Sequence, residues 1–395
     1  MKHFVIRLAI CGILVVTGSC TAQPFPALTP TAIHSTLTIT PPIEISPSFA
    51  TALPPTQVPT VIPPELISSI DAWLNQIAKD AGFSGSVLIA YKNNVLLSNG
   101  YGLADREHKI PNTAQTRFRL GSITKQFTAM AILILEAQGK LSVEDPVCNY
   151  LSDCPPAWKN ITIDNLLTHT SGIPDYTRFP DYRSTMATPS SPTQTMERFE
   201  DLPLDFNPGE KWSYSNSGYI VLGYIIEQVS GQTYEDFLKQ SIFIPLKLNN
   251  TGYDHNSNDL AVGYADRYSN LPFDFIDMSI PYADGALFST IEDLYHWDQA
   301  LDTEQLIPQA YLNKMFTPHV SIPNTEGWFY GYGWNIGQER GHPIISHGGS
   351  INGFVAMNAR YPKEQITIIV LSNQQNTDVV LIQGILSRKI FGDNK

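Results

Sequence analysis

The chain has 395 residues, of which 43% are hydrophobic and 11% aromatic, and its formal net charge is −12. This composition is typical of a globular protein with a large core and not of a disordered chain. The acidic balance and the lack of a Lys/Arg run argue against nucleic acid as a partner. The nine His residues are scattered, without an HExxH motif or a Cys/His ligand cluster, so no metal site is predicted.

The first 19 residues have the pattern of a secretory signal peptide. A basic start is followed by an apolar run from Leu8 to Val16 and then by small residues that lead to Cys20. The apolar run is too short to span a bilayer as a stable helix. We therefore predict a signal peptide over residues 1–19 and an exported protein. The residues before Cys20 resemble a bacterial lipoprotein cleavage site, which predicts lipidation of Cys20 and a membrane anchor; ordinary cleavage nearby is the alternative.

Residues 20–64 are predicted to form a Pro/Thr-rich tether. Positions 21–64 hold 11 Pro and 9 Thr but a single charged side chain, Glu44. Such a segment has few ways to build a core and favours extended, polyproline-like conformations. The tether would hold a domain of residues 65–395 off a membrane or wall, at the cell surface or on the periplasmic side.

Hydrophobic periodicity predicts the order of elements in this domain. In chain order these are a helix at 66–77, two strands within 85–102, mostly helical segments over about 122–300, strands within 342–362 and 365–373, and a last helix at 377–392. Strands therefore lie at both ends and helices between them. The economical arrangement is an α/β fold with one sheet built from both ends and covered by the first and last helices. The helical middle then inserts as a second lobe, and the cleft between the lobes is the expected binding place.

Two cysteines remain in the predicted domain, Cys148 and Cys154. In an oxidising compartment they are expected to form a disulfide that closes a small loop. Its role would be structural, and two free thiols are the alternative.

Ser122 and Lys125 lie three positions apart, where a loop is predicted to become a helix. Residues with this spacing share a helical face. In the first turn of a helix, free backbone N–H groups and the positive end of the dipole favour an oxyanion. Lys125 could take or stabilise the Ser122 proton if burial and neighbours keep its own charge in check. The pair by itself is a weak signal, because S-x-x-K occurs by chance in many proteins.

Tyr214, Ser215 and Asn216 form a polar group between a Pro-Gly turn and an apolar helical segment. A phenol held near a Lys can act as a base, and a carboxamide can hold a substrate amide. The alternative is that Ser215 or Asn216 only caps the following helix.

His347, Gly348, Gly349 and Ser350 follow a predicted strand. Glycines let a backbone approach a ligand closely. The N–H of Ser350 could pair with the N–H of Ser122 to form an oxyanion hole. A plain strand turn with an exposed His is the alternative.

Together, S-x-x-K, Y-x-N and H-x-G in this order resemble the serine β-lactamase and penicillin-binding-protein superfamily. The likeness is to the branch that contains class C β-lactamases, D-Ala-D-Ala carboxypeptidases, D-aminopeptidases and related esterases, and it spans about residues 66–391. The stretches at 166–176 and 282–297 resemble this branch as well, although they have no direct chemical role. The resemblance implies a two-lobed fold, in which an antiparallel sheet with flanking N- and C-terminal helices carries an inserted all-helical lobe.

The resemblance also implies roles for individual residues. Ser122 would be the acylated nucleophile, Lys125 its proton partner, and Tyr214 the base that passes the proton to the leaving group. The residues implied to bind substrate are Asn216, His347 and Gly349. His347 stands where many β-lactamases have a Lys. Because His is cationic only in part near neutral pH, this departure argues against efficient antibiotic hydrolysis.

A second constellation offers a Ser-His-Asp triad, with His169, Ser171 and the nearby Asp164 and Asp175. Such a triad depends on closeness in space. No G-x-S-x-G elbow surrounds Ser171, so this segment is interpreted as structural.

The leading hypothesis is an exported serine hydrolase that forms an acyl-enzyme on Ser122 and needs no cofactor. A D-Ala-D-Ala carboxypeptidase or a similar D-peptidase is favoured, and an esterase or β-lactamase of the same fold is the alternative. The expected partner is a small-molecule or peptide acyl substrate. The rival from another class is a non-catalytic protein that binds wall fragments or β-lactams. The sequence does not indicate an oligomeric state.

Overall fold

Residues 61–392 are described by a computed structural model. The predicted signal peptide, the predicted lipidation site at Cys20 and residues 20–60 of the predicted tether lie outside the described residues, as do residues 393–395. Within the described part of the chain, no helix is both long and apolar enough to cross a membrane.

The domain contains both long elements and many short ones. The strands are β1 (Gly85–Tyr91), β2 (Asn94–Tyr101), β3 (Leu103–Asp105), β4 (Ile110–Pro111), β5 (Phe118–Arg119), β6 (Gly252–Tyr253), β7 (Leu287–Ser289), β8 (Val320–Ser321), β9 (Phe329–Tyr330), β10 (Asn335–Glu339), β11 (His342–Ile351), β12 (Phe354–Tyr361) and β13 (Ile366–Ser372). The helices are α1 (Pro64–Asp80), α2 (Thr124–Ala137), α3 (Ile163–Leu167), α4 (Tyr182–Thr185), α5 (Pro192–Met196), α6 (Asn216–Ser230), α7 (Tyr234–Leu238), α8 (Ile244–Leu246), α9 (Tyr282–Gly285), α10 (Ile291–Ala300), α11 (Gln309–Met315) and α12 (Val379–Phe391).

The main sheet joins the two ends of the domain. Its eight strands have the order β2-β1-β13-β12-β11-β10-β9-β8, and all neighbouring pairs are antiparallel. The first hairpin enters the sheet where β1 pairs with β13, with Gly85 opposite Ser372. The hairpin turn at Lys92 and Asn93 has φ angles of 47° and 63°, a left-handed turn whose twist matches the strands. The predicted antiparallel sheet built from both ends is therefore confirmed.

Three strands of this sheet, β8, β9 and β10, are not indicated by the sequence. Their residues do not show the alternation or the Ile/Val richness of the other strands. They form because β11 leaves an edge that can be paired, and β10 covers it with Asn335 opposite Ser346 and Glu339 opposite His342. Pairing with a neighbour, more than local propensity, decides such strands.

Helices cover the two faces of the sheet, and β1 shows how the faces divide. Val87 and Ile89 pack into one core with α1 and α12, whereas Leu88 and Ala90 pack into a second core with the helical lobe. This alternation is what a strand buried on both faces requires. The predicted cover of the first and last helices and the inserted helical lobe are therefore confirmed.

Helix α2 lies at the centre of the second core. Every residue from Thr124 to Glu136 is buried, so the helix is enclosed on all sides and not only on its apolar face. Its buried polar side chains each bond to at least one group of another segment, although Gln126 Nε2 and Glu136 Oε2 have no partner among the described residues. The Gln126 Oε1 atom accepts a hydrogen bond from the Trp297 indole at 3.1 Å. A helix fixed in this way holds its first turn in a defined position.

A disulfide joins Cys148 and Cys154, which are separated by six positions in the segment after α2. It closes the small loop that the sequence suggested.

Candidate active site

Ser122 lies in a 3₁₀ turn, Gly121–Ile123, that leads directly into α2. Gly121 has a φ of 53°, a conformation that favours glycine. A Cβ atom on Gly121 would come within 2.8 Å of the Ser350 amide nitrogen. The turn that carries Ser122 therefore packs backbone to backbone against β11.

Gly349 permits the same close approach from the side of the strand. A Cβ atom there would lie 1.9 Å from the Leu120 carbonyl oxygen and 3.3 Å from the Ser122 amide nitrogen. The absence of a side chain at Gly349 thus lets the strand and the nucleophile turn come into direct backbone contact. The amide groups of Ser122 and Ser350, which were predicted to form the oxyanion hole, are brought to the same junction, and both residues line the same cleft.

The position of these glycines differs from the sequence expectation. His347 to Ser350 do not follow a strand end but lie inside β11, where Gly348 is opposite Met357 of β12. Glycines weaken a strand interior. Gly349 is needed here because the nucleophile turn leaves no room for a side chain, whereas a Cβ atom on Gly348 would meet only ordinary contacts.

Lys125 is fully buried and connects the residues of the site. Its Nζ atom lies 3.2 Å from Ser122 Oγ, 2.8 Å from Asn216 Oδ1 and 2.8 Å from the carbonyl oxygen of Asp284. An ammonium group donates to all three of these acceptors. A neutral amine can donate to Asn216 and Asp284 and keep its lone pair for the Ser122 proton. The arrangement can therefore hold a proton on either side of the Ser122–Lys125 contact.

Asn216 is the first residue of α6, and its side chain does not serve as a simple cap. The Oδ1 atom accepts from Lys125 at 2.8 Å, and Nδ2 donates to Thr177 Oγ1 at 3.2 Å and to Asp175 Oδ1 at 3.3 Å. Ser215, which precedes the helix, makes no side-chain cap hydrogen bond. The alternative interpretation of this motif as a helix cap therefore does not describe its contacts.

Tyr214 lies next to Lys125, with its ring centroid 5.0 Å from the Nζ atom. The Tyr214 hydroxyl is buried and makes no hydrogen bond within the described residues. The Tyr214 ring centroid also lies 4.2 Å from that of His169. An unpaired buried hydroxyl usually destabilises a protein by about 1–3 kcal/mol. Other buried groups of this protein, such as the Tyr282 hydroxyl, are unpaired as well, so the position of Tyr214 beside Lys125 is the informative feature. A phenol kept free beside a Lys is suited to proton transfer.

His347 uses both of its ring nitrogens inside the protein. Nδ1 lies 2.6 Å from the Gly348 carbonyl oxygen, which can only accept, so Nδ1 carries the proton. Nε2 then accepts a hydrogen bond from the Tyr330 hydroxyl at 3.0 Å. Burial, reinforced by the nearby charge of Lys125, lowers the pKa of His347 to about 4. The partial positive charge expected of an ordinary His near neutral pH is therefore lost.

A cleft of about 630 Å³ opens beside the nucleophile. Ser122, Asn216, Asp284 and Ser350 all contribute to its lining, whereas Tyr214 and His347 do not. A larger groove of about 870 Å³ lies between α10 and the strands β12 and β13, and it contains none of the predicted site residues. The smaller cleft is therefore the candidate substrate site.

Two aspartates belong to the site beyond the residues predicted for the Ser122 mechanism. Asp175 accepts from the Asn216 amide and also from the Thr177 hydroxyl at 2.9 Å. The Asp284 carboxylate accepts from the Tyr176 hydroxyl at 2.8 Å. Burial raises the pKa of Asp284 to about 7, although Lys125 and the Tyr176 hydrogen bond oppose this shift. In the sequence, Asp175 was considered only for the alternative triad, and Asp284 was marked only by its place in the stretch at 282–297.

The alternative triad is not assembled in the described residues. The Ser171 hydroxyl accepts from the Ile173 amide at 3.3 Å, and His169 Nδ1 accepts from the Ser215 amide at 3.2 Å. Asp164 accepts from the Tyr332 hydroxyl at 2.6 Å. His169 instead supports the Tyr214 ring. Residues 61–392 also contain no group of three His, Cys, Asp or Glu side chains that could hold a metal ion.

The family model described as Beta-lactamase matches residues 70–386. A penicillin-binding protein of Bacillus subtilis (strain 168) is 36% identical over 324 residues, which cover 77% of this chain and 71% of that protein. The octameric penicillin-binding protein homologue from Pyrococcus abyssi has a TM-score of 0.75 at 29% identity and covers 83% of this chain and 78% of its own. A D-stereospecific amidohydrolase from Streptomyces sp. has a TM-score of 0.69 at 25% identity, and the match covers 83% of this chain and 99% of that one.

The matched region includes all three motifs, and the structural relatives share the sheet and the helical lobe. Hydrolases are among these relatives. The chain therefore belongs to the beta-lactamase family and is a serine hydrolase of that family.

Proposed function

We propose that this protein hydrolyses amide bonds of D-amino-acid compounds through an acyl-enzyme on Ser122. The observation that carries the proposal is the position of Lys125, which is fully buried and lies within hydrogen-bonding distance of Ser122 and Asn216 at once. A buried Lys directed at a Ser hydroxyl is an arrangement that activates a nucleophile.

In the proposed reaction the Ser122 oxygen attacks the substrate carbonyl carbon, and its proton passes to Lys125. The N–H groups of Ser122 and Ser350 stabilise the negative oxygen of the tetrahedral intermediate. When this intermediate collapses, the amide C–N bond breaks, and Tyr214 supplies the proton that the departing amine needs. Water, activated by the same residues, then releases the acyl group and restores Ser122.

The choice among substrates rests on the neutral state of His347. His347 does not offer a ready cation for a terminal carboxylate on the leaving group, because both of its ring nitrogens bond to protein groups and burial lowers its pKa to about 4. This argues against a carboxypeptidase or an efficient β-lactamase, both considered from the sequence. The similarity to a D-stereospecific amidohydrolase supports amides of D-residues as the substrate class.

The proposal is tested by the intact mass of the purified protein after treatment with a fluorophosphonate and, separately, with a penicillin. A single fluorophosphonate adduct that is lost in Ser122→Ala would support the acyl-enzyme. A Ser122→Thr variant is the matched control, because it keeps a hydroxyl but crowds the site. Absence of any adduct on the folded protein would leave the non-catalytic binding protein as the better explanation.

We also propose that the enzyme is exported and lipid-anchored at Cys20, with the Pro/Thr-rich residues after Cys20 as its tether. Because Ile62 is buried in the core and α1 begins at Pro64, the tether ends before residue 62. The sequence pattern around Cys20 supports this location. In a bacterial host, the wild-type protein should fractionate with membranes, and Cys20→Ala should release it. Release of both proteins into the soluble fraction would contradict the anchor.

A further inference from the structure

We propose that Asp284 binds the free α-ammonium group of the residue that becomes the acyl group. The enzyme would then act on substrates with an unblocked amino terminus and discriminate against N-acylated ones. This inference rests on the proposed function, because it names the substrate class of the same site.

The first argument is the unused oxygen of Asp284. Its Oδ2 atom accepts from Tyr176 at 2.8 Å, but its Oδ1 atom accepts no hydrogen bond from any residue of the described range. The residue is only 5% exposed, and it lines the cleft together with Ser122. A carboxylate oxygen that borders a binding cleft and bonds to no protein group is available for a ligand.

The second argument is the missing counter-ion. Buried carboxylates are usually paired with a cation, because an isolated buried charge is costly. Asp254 pairs with Arg119 at 2.8 Å, and Asp175 lies 3.5 Å from the Arg178 guanidinium. The Asp284 carboxylate has no ion pair among residues 61–392, since Lys125 bonds to its carbonyl oxygen instead. Lys125 is close enough to lower the pKa of Asp284, but the carboxylate itself has no direct cationic partner, and a substrate ammonium would supply one.

The third argument concerns which part of the substrate enters the cleft. Tyr214 is proposed to protonate the leaving group, so the leaving group lies on its side of Ser122. The cleft is lined by Ser350 and the residues after it, and not by Tyr214. It therefore receives the acyl part, whose α-carbon is bonded to the reacting carbonyl. Lys125 contacts both Ser122 Oγ and the Asp284 carbonyl oxygen, and Asp284 lines the same cleft as Ser122. We therefore expect an ammonium on that α-carbon to reach the Asp284 carboxylate.

The pH dependence follows from the groups that face Asp284. These are Lys125, Tyr176, Asp175, Tyr182, Tyr234 and Tyr253. Burial raises the pKa of Asp284 to about 7, so the carboxyl is neutral below this pH and charged above it. The preference for free-amine substrates should increase as the pH rises through about 7, and it should decline once the α-amino group itself loses its proton near about 8.

The test measures kcat/KM of the mature protein for D-alanine p-nitroanilide and for N-acetyl-D-alanine p-nitroanilide, which share a leaving group. The ratio of the two values should favour the free amine and should fall about ten-fold or more in Asp284→Asn, an isosteric change that removes the charge. Asp274→Asn removes the same charge from an exposed residue at the rim of the cleft, and the ratio should change less than about two-fold.

Two results would overturn the inference. One is a wild-type preference for the N-acetyl substrate. The other is an equal fall in kcat/KM for both substrates in Asp284→Asn, which would mean that Asp284 only supports Lys125. If Asp284→Asn does not fold, Tyr176→Phe replaces it; loss of that hydrogen bond should shift the pH midpoint of the ratio upward, and an unchanged midpoint would count against the proposal. If neither anilide is cleaved and the fluorophosphonate does not label Ser122, the proposed function itself fails.

Discussion

Replacing Gly349 by Ala tests whether the contact between β11 and the nucleophile turn determines activity. The new Cβ atom would lie 1.9 Å from the Leu120 carbonyl oxygen, whereas real Cβ atoms essentially never approach closer than 3.0 Å. One backbone segment would therefore have to move by about 1 Å, because the packed interior does not yield elsewhere. Such a shift separates the two N–H groups proposed to bind the oxyanion. We expect kcat/KM to fall about 10²-fold, equivalent to about 2.7 kcal/mol of transition-state stabilisation.

Gly348→Ala is the matched control, because it makes the same change one residue earlier in the same strand. Its Cβ atom would meet the Ala356 carbonyl oxygen at 3.6 Å and the Met357 methyl group at 3.9 Å, which are ordinary contacts. We expect this variant to retain activity within about three-fold of the wild type.

The assay is hydrolysis of an activated ester, normalised to active sites titrated with a fluorophosphonate, together with thermal unfolding of each variant. Titration of the active sites distinguishes a lower rate per active site from a smaller fraction of folded protein. If Gly349→Ala matched Gly348→Ala in rate and in melting temperature, the close approach would be irrelevant to catalysis and the proposed oxyanion hole would lose its support.

Three further changes have defined outcomes. Lys125→Met should lower the rate of Ser122 acylation by about 10²- to 10⁴-fold, measured by the time course of fluorophosphonate labelling; a rate within ten-fold of the wild type would exclude Lys125 as the proton partner. The unfolded chain protonates His347 below its ordinary pKa of about 6.5, whereas the folded protein keeps it neutral down to about 4, so its contribution to stability is lost as the pH falls through this window. Between about pH 7.5 and 5 this lowers the free energy of unfolding by about 2 kcal/mol. Urea unfolding at both pH values should therefore show a smaller fall in the free energy of unfolding for His347→Gln than for the wild type. An equal fall in both proteins would contradict the neutral buried state. Breaking the Cys148–Cys154 disulfide, which spans six positions, should lower the free energy of unfolding by about 2 kcal/mol. The double Ser variant should therefore have a lower melting temperature than the wild type. An unchanged melting temperature in this variant and in the reduced wild type would show that the loop needs no crosslink.

Local patterns were sufficient for much of the fold. The first helix, the β1–β2 hairpin and the C-terminal strands β11, β12 and β13 follow from hydrophobic periodicity and turn residues, because these signals act between neighbours in the chain. The short strands β8 to β10 could not be predicted in this way, since they depend on the free edge of β11. The extent of β11 through the two glycines likewise depends on the turn that packs against it.

The motif residues of the site were also identified from the sequence, because their order along the chain is specific. Ser122, Lys125 and Asn216 are joined by hydrogen bonds in the structure, and Tyr214 lies beside them. Their chemical state was decided only by the tertiary structure. Burial neutralises His347 and gives Asp284 its raised pKa, and neither effect can be deduced from sequence neighbours. Both effects arise because distant segments exclude water from these groups, and exclusion of water is a property of the packed fold.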